Sequence, residues 1–303
     1  MTHSLVYHLL DVFTDRRFSG NPLAVVEDAD GLDAATMQSV AREFNLSETV
    51  FLLAPRDPVM SGRIRIFTPV RELPFAGHPT IGAAALLAET RGADALARNG
   101  LVVALESGVG ELRCDALRSR SGVTYAELLF PGLPQPGGAA AAPEALAAAL
   151  SLAPAEIGFD AHVPCRFSAG PAFLFVPVAS RAALESARRN PQAFAPVIGE
   201  AVGVFLYTRE TVEPAAAIHA RMFAHGLGFD EDPATGSAAV AFAAVAQAFE
   251  SPDDGEHELF IEQGYCMDRP SRITLRLWVE NGALARVAVG GQVVRVAEGR
   301  LRL

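Results

Sequence analysis

Two segments of the chain set the same residue types at matching spacings. The first runs Ile64-Arg65-Ile66-Phe67, a short connection, then Phe75-Ala76-Gly77-His78-Pro79-Thr80-Ile81-Gly82. The second runs Ala220-Arg221-Met222-Phe223, a longer connection, then Glu231-Asp232-Pro233-Ala234-Thr235-Gly236-Ser237-Ala238. Each reads as an Arg-x-Phe strand, a polar turn, and the start of an uncharged Ala-rich helix. Free N–H groups and aligned peptide dipoles at a helix N-terminus attract anions. The ligand expected is therefore small and carries a carboxylate, in a cleft between two related domains, with His78, Asp232 and Ser237 as side-chain candidates. Glu48 stands between Ser47 and Thr49 at the entry to an apolar run. A carboxylate at the rim of an apolar element has its pKa raised by desolvation, which suits a general base. Singly, these residues read as a strand-end carboxylate, two helix caps and a first-turn serine. Their recurrence at equivalent places in two repeats is what points to a site.

The elements that would position them follow from periodicity and turn chemistry. Strands are expected over 6–13, 23–26, 49–53 and 63–67, with a helix over 34–44 that Asp33 caps and that turns Met37, Val40, Ala41 and Phe44 to one side. A helix over about 80–89 and strands near 101–105, 110–114 and 124–130 complete the first half. Residues 131–138 hold three prolines and three glycines and read as a linker. Beyond it come a helix over 143–150, strands near 165–168, 172–177, 202–207 and 220–223, an apolar helix over 233–249, and strands near 259–262, 273–279 and 284–296. A helix that is apolar on every face, yet too short to span a bilayer, must be surrounded by protein. With strands on both sides of it in sequence, a sheet curled around a central helix is the expected solution, once per half. The class is α+β: two pseudo-symmetric domains, 1–130 and 131–303, each a mostly antiparallel, barrel-like sheet around an apolar helix, with a last strand able to return to the first domain.

Composition bounds the partners. The 303 residues are 50% apolar and 20% charged, enough for large cores, and the formal net charge is −10. That balance argues against nucleic acid and anionic membranes, which need a basic face. Cys114, Cys165 and Cys266 are scattered and odd in number, so neither a disulfide framework nor a thiolate metal site is expected. His219 and His225 lie six apart, not at the i, i+4 spacing that sets two ligands on one helix face. Gly77–Gly82 lacks a P-loop ending, and Gly236-Ser237-Ala238 does not fit a nucleophile elbow. The N-terminus lacks the basic region of a signal peptide, and a cytoplasmic location is expected.

Four segments, Phe18-Ser19-Gly20-Asn21-Pro22, Leu46-Ser47-Glu48-Thr49-Val50-Phe51, 74–82 and 231–239, resemble the PhzF-like phenazine-biosynthesis family in the right order. The resemblance spans essentially the whole chain. It implies the diaminopimelate epimerase fold, a homodimer, and an isomerase that works without a cofactor. The family's type member shifts a proton, and with it a double bond, in a dihydro-hydroxyanthranilate. On that basis Glu48 matches the proton-transferring carboxylate, and His78, Asp232 and Ser237 match other active-site positions. Asn21, Gly77 and Gly236 match positions lining the substrate, and Ser47 and Thr235 join them as substrate-binding candidates. Racemases of this fold carry a cysteine before each core helix, where this chain has Ala76 and Thr235, so a one-carboxylate proton shift is expected in place of two-base racemisation. The roles of His78 and Asp232 are exchangeable at this stage. An epimerase on another small carboxylate and a non-catalytic carboxylate-binding protein are the alternatives, and an intact Glu48 and His78 weigh against the second.

Overall fold

The structure, a computed structural model, describes residues 4–303. The chain divides into two compact units, one reaching to Pro131 and completed by Gly290–Leu303, the other formed by Gly132–Val289.

The first unit contains β1 (Ser4–Val12), β2 (Asn21–Val26), α1 (Ala34–Phe44), β3 (Glu48–Leu53), β4 (Gly62–Phe67), β5 (Glu72–Leu73), α2 (Gly77–Arg91), α3 (Ala93–Arg98), β6 (Leu101–Ser107), β7 (Gly110–Arg118) and β8 (Thr124–Leu129). The second contains β9 (Gln135–Pro136), α4 (Pro143–Leu150), β10 (Cys165–Ser168), β11 (Ala172–Pro177), α5 (Arg181–Ser186), α6 (Pro191–Ile198), β12 (Gly203–Thr208), β13 (Ile218–Ala224), β14 (Glu231–Asp232), α7 (Gly236–Glu250), β15 (Gly255–Gln263) and β16 (Ser271–Glu280). The last strand, β17 (Ala283–Arg302), begins in the second unit and ends in the first.

In the first unit the pairings run β1–β2–β3–β4–β6–β7–β8–β17 and return to β1, so the sheet closes. Closure leaves no edge and creates an interior that must be filled. The filling is α2, whose residues 77–88 are all buried and which packs against β1, β2, β3, β4, β6, β7 and β8. Helix and wall meet closely at Gly82, where an added Cβ would press on Leu23 and come within 3.1 Å of Val12. Outside the barrel, Met37, Val40 and Ala41 of α1 cover Val26, Phe51, Leu53 and Phe67. Side chains alternate along a strand, so Phe51 and Leu53 of β3 face α1 while Glu48, Val50 and Leu52 face inward.

The second unit repeats this plan strand for strand. The sequence β1 antiparallel to β2, β2 parallel to β3, β3 antiparallel to β4, β4 antiparallel to β5 and parallel to β6, and β6 antiparallel to β7 recurs from β10 to β16. Its central helix α7 is buried over residues 236–243, and Phe242 packs against Phe175, Phe205 and Tyr207. The fold is thus α+β, with strands wrapped around an apolar helix in each unit. No helix among the described residues is long and apolar enough to cross a membrane.

Three differences from the sequence expectation have local causes. Helix α2 starts at Gly77, about three residues early, which puts Gly77 and His78 in its first turn. Helix α7 starts at Gly236, three residues late, because residues 233–235 form the turn that enters it. Helices α3, α5 and α6 were not anticipated. Of these, α5 is capped by Ser180 accepting from the Ala183 N–H, and α6 by Asn190 accepting from the Gln192 N–H with Pro191 in its first turn.

Candidate active site

In the first unit the structure brings together Asn21, Glu48 and His78. Glu48 opens β3, pairs in register with Leu23, and therefore shares the inward face on which Asn21 also lies, two residues before Leu23 on β2. His78 enters from the second position of α2. All three are buried, Asn21 completely. The His78 Nε2 atom lies 3.5 Å from a Glu48 carboxylate oxygen, long for a hydrogen bond, and Nδ1 lies 3.3 Å from the Asn21 amide nitrogen. Because an amide NH₂ only donates, Nδ1 accepts and the ring proton sits on Nε2, facing Glu48. Burial pushes the His78 imidazole down to about 3, so the ring is neutral at physiological pH.

The helix start adds donors of its own. Ala76 is the N-cap, Pro79 has no N–H, and the Thr80 N–H already bonds to the Ala76 carbonyl. The amides of Gly77 and His78 are thus the donors that the first turn can offer an anion. Ser47, half-buried, immediately precedes β3.

In the second unit Asp232 and Thr235 are joined directly. The Thr235 hydroxyl donates to the Asp232 carboxylate at 2.6 Å. Thr235 is the N-cap of α7, followed by Gly236 and the buried Ser237 in its first turn. Sequence reasoning missed Gln263, a fully buried residue at the end of β15 that bonds to both. Its only signal in the sequence is a polar residue closing a strand before Gly264. The turn has further support from the Ser271 hydroxyl, which donates to the Pro233 carbonyl at 3.0 Å, and from Gly264, whose φ of +82° and close approach to the same carbonyl exclude a side chain.

Other groups are engaged elsewhere. His219 bonds to Glu262 at 2.6 Å, and that carboxylate also accepts the Val212 and Glu213 N–H groups. Burial pushes up all three thiols, Cys165 to about 12, which disfavours the reactive thiolate. A wide surface groove of about 1240 Å³ beside Arg56, Arg63 and Glu106 holds none of the expected site residues.

Comparison with known proteins identifies the family of the chain. The family described as "Phenazine biosynthesis-like protein" (PhzC-PhzF) matches residues 10–299. An uncharacterized isomerase of Mesorhizobium japonicum is 48% identical, over 97% of this chain and 98% of its own. The trans-2,3-dihydro-3-hydroxyanthranilate isomerase of Pseudomonas chlororaphis is 34% identical, over 98% and 99%. Among solved structures, a Bacillus anthracis phenazine biosynthesis protein of the PhzF family superposes with a TM-score of 0.87 at 28% identity, covering 99% of each chain. The strand-wrapped helix of each unit is the diaminopimelate epimerase-like fold. On a match that spans nearly its full length, the chain belongs to the PhzF-like, phenazine biosynthesis-like family and is an isomerase by class.

Proposed function

We propose that the protein is a cofactor-independent isomerase that moves a proton between two carbons of a small carboxylate-bearing substrate, in the manner of a trans-2,3-dihydro-3-hydroxyanthranilate isomerase. The observation that carries this reading is the buried Glu48 carboxylate 3.5 Å from a neutral His78 at the start of a core helix. In this reading Glu48 removes a proton from one carbon. The electron pair of the broken C–H bond becomes a new C=C bond, and the double bond it displaces takes up a proton at its far carbon. One proton leaves and one returns, so no oxidant or reductant is consumed. His78 presents Nε2–H to polarise the substrate, while Asp232 takes part in the second proton transfer. The amides of Gly77, Gly236 and Ser237 hold the substrate carboxylate, with Asn21, Ser47 and Thr235 as neighbouring contacts.

The racemase alternative finds less support. The positions before the two core helices are Ala76, which has no titratable group, and Thr235, whose hydroxyl is committed to Asp232. The test is conversion of trans-2,3-dihydro-3-hydroxyanthranilate, followed by absorbance and by deuterium uptake from D₂O. Replacing Glu48 by Gln keeps the shape and removes proton affinity, so turnover should fall by roughly 10²–10⁴ while binding changes far less. Parental turnover in Glu48→Gln would remove Glu48 as the base.

A further inference from the structure

The topological repeat supplies an internal control for the Asp232 cluster. With Arg65 set against Arg221, Leu73 corresponds to Asp232 as the second residue of its short strand, and Ala76 corresponds to Thr235 as helix N-cap. The pairings Arg63↔Glu106 and His219↔Glu262 make Ser107 the counterpart of Gln263. In the first repeat, Leu73 and Ala76 have no polar side chain, and the Ser107 hydroxyl closes its own hairpin by donating to the Gly110 carbonyl. The fold therefore enters a core helix through this turn without any side-chain network. Three polar residues replace the first repeat's set together, and they bond to one another.

Their geometry has a direction. The Gln263 amide nitrogen donates to the Asp232 carbonyl at 2.7 Å and to the Thr235 hydroxyl oxygen at 3.0 Å, while its oxygen accepts the Thr235 N–H at 3.1 Å. A flipped amide would set acceptor against acceptor and donor against donor, so its orientation is fixed. A hydroxyl has one proton. With its oxygen accepting from Gln263, that proton goes to the Asp232 carboxylate, where a donated hydrogen bond favours the ionised form.

We propose that Gln263 is a positioning residue which, through Thr235, holds the Asp232 carboxylate ionised and fixed as an acceptor. In the reaction proposed above, on which this assignment of roles rests, the proton that Glu48 removes is then the one delivered to the far carbon. The ionised Asp232 takes part in that transfer as a hydrogen-bond acceptor that orients the substrate, and His78 is the resting hydrogen-bond donor. Of the charged neighbours, Glu231 and Glu262, adjacent in sequence to Asp232 and Gln263, pair with Arg221 and His219, and α7 carries no charge before Glu250. Arg269 stands in the adjoining turn, its carbonyl, like that of Pro233, accepting from the Ser271 hydroxyl.

The test follows the Asp232 carboxylate by NMR in protein labelled with ¹³Cγ-aspartate, the resonance being identified by its loss in Asp232→Asn. Gln263→Glu preserves shape and the acceptor for the Thr235 N–H, but once ionised it takes the Thr235 hydroxyl proton for itself. The Asp232 midpoint should rise by roughly one pH unit or more, and by clearly less when the same change is made in a Thr235→Val background. Thr235→Val alone should also raise the midpoint. An equal rise in both backgrounds would mean plain charge repulsion and would overturn the relay. So would an unmoved midpoint in Thr235→Val, which decides the matter even if Gln263→Glu fails to fold. These readouts need no substrate, so failure to convert trans-2,3-dihydro-3-hydroxyanthranilate would count against the proposed reaction alone.

Discussion

The two repeats share scaffold details down to individual charged side chains, yet differ in the polar residues at the start of the inner strand and of the core helix. In each, an arginine holds the short strand before the core helix through a two-pronged ion pair, Arg65 to Glu72 at 2.7 Å and Arg221 to Glu231 at 2.9 Å. In each, that guanidinium lies over the phenylalanine two residues on. In each, a glutamate accepts two backbone N–H groups of the loop before the central strand, Glu106 from Arg56 and Asp57, Glu262 from Val212 and Glu213. The first residue of the inner strand, however, is Glu48 in one repeat and Gly203 in the other. A Cβ at Gly203 would come within 2.9 Å of the Phe223 carbonyl, so no carboxylate fits there. The second residue of the core helix is His78 in one and Ser237 in the other. A two-base racemase needs matched groups on both sides, whereas a proton shift needs a base on one. The duplicated scaffold carries an asymmetric set of polar residues, which suits the proton shift proposed above.

The contrast is sharpest at the two arginines. Arg221 is almost fully buried and also donates to the carbonyls of Leu184, Glu185 and Ala187, whereas the Arg65 pair is half-exposed. Arg221→Ala strands Glu231 and these carbonyls and should cost about 3–5 kcal/mol. Arg65→Ala should cost about 1 kcal/mol or less. Urea unfolding of both variants checks this, and equal losses would erase the distinction.

His78 supplies a second asymmetry, in pH dependence. Its folded pKa of about 3 lies below the ordinary 6.5, so between those values the unfolded chain binds a proton that the folded chain refuses. This contribution to stability is complete above pH 6.5 and is lost as pH falls toward 3, with a slope approaching about 1.4 kcal/mol per pH unit. His78→Asn should flatten that slope. Ser237→Ala, at the matching position, should leave it alone.

Smaller effects are expected along the core helices. Gly82→Ala pushes a methyl against Leu23 and should cost about 1–3 kcal/mol. At the corresponding place in α7 the residue is Ala241, and Ala241→Gly should cost roughly 1 kcal/mol through helix propensity. Iodoacetamide at neutral pH should change activity least of all, because burial raises every thiol and none stands at a core-helix start. Rapid inactivation that substrate prevents would bring a cysteine into the site and undo the alignment of Ala76 and Thr235 with racemase thiols.

The duplicated Arg-x-Phe strands and apolar helices were legible because burial on every face leaves a plain mark on composition. Helix starts were less so: uncharged residues continue across 233–235, and the turn that ends at Gly236 is shaped by the Asp232–Thr235–Gln263 bonds together with Ser271 and Gly264, which lie far off in sequence. Asn21, Glu48 and His78 could be singled out from motif and rim position, but not the orientation of the imidazole, which depends on a contact 57 residues apart in sequence. Gln263 escaped because a lone glutamine closing a strand has no pattern, and its partners lie 28 and 31 residues away.

Strand β17 has a consequence for synthesis. It supplies the stave that joins β8 to β1, with Ser4 opposite Arg302 and Val12 opposite Val293. On the ribosome, β1 to β8 emerge early but keep two open edges around an apolar helix until nearly all of the second unit has been made. The nascent first unit is thus a hydrophobic cup awaiting its lid, open to strand addition by other chains for as long as translation takes. Closure over so long a loop also gives this barrel contacts of high sequence separation, which slow folding, and a chaperone that shields strand edges would act on it there.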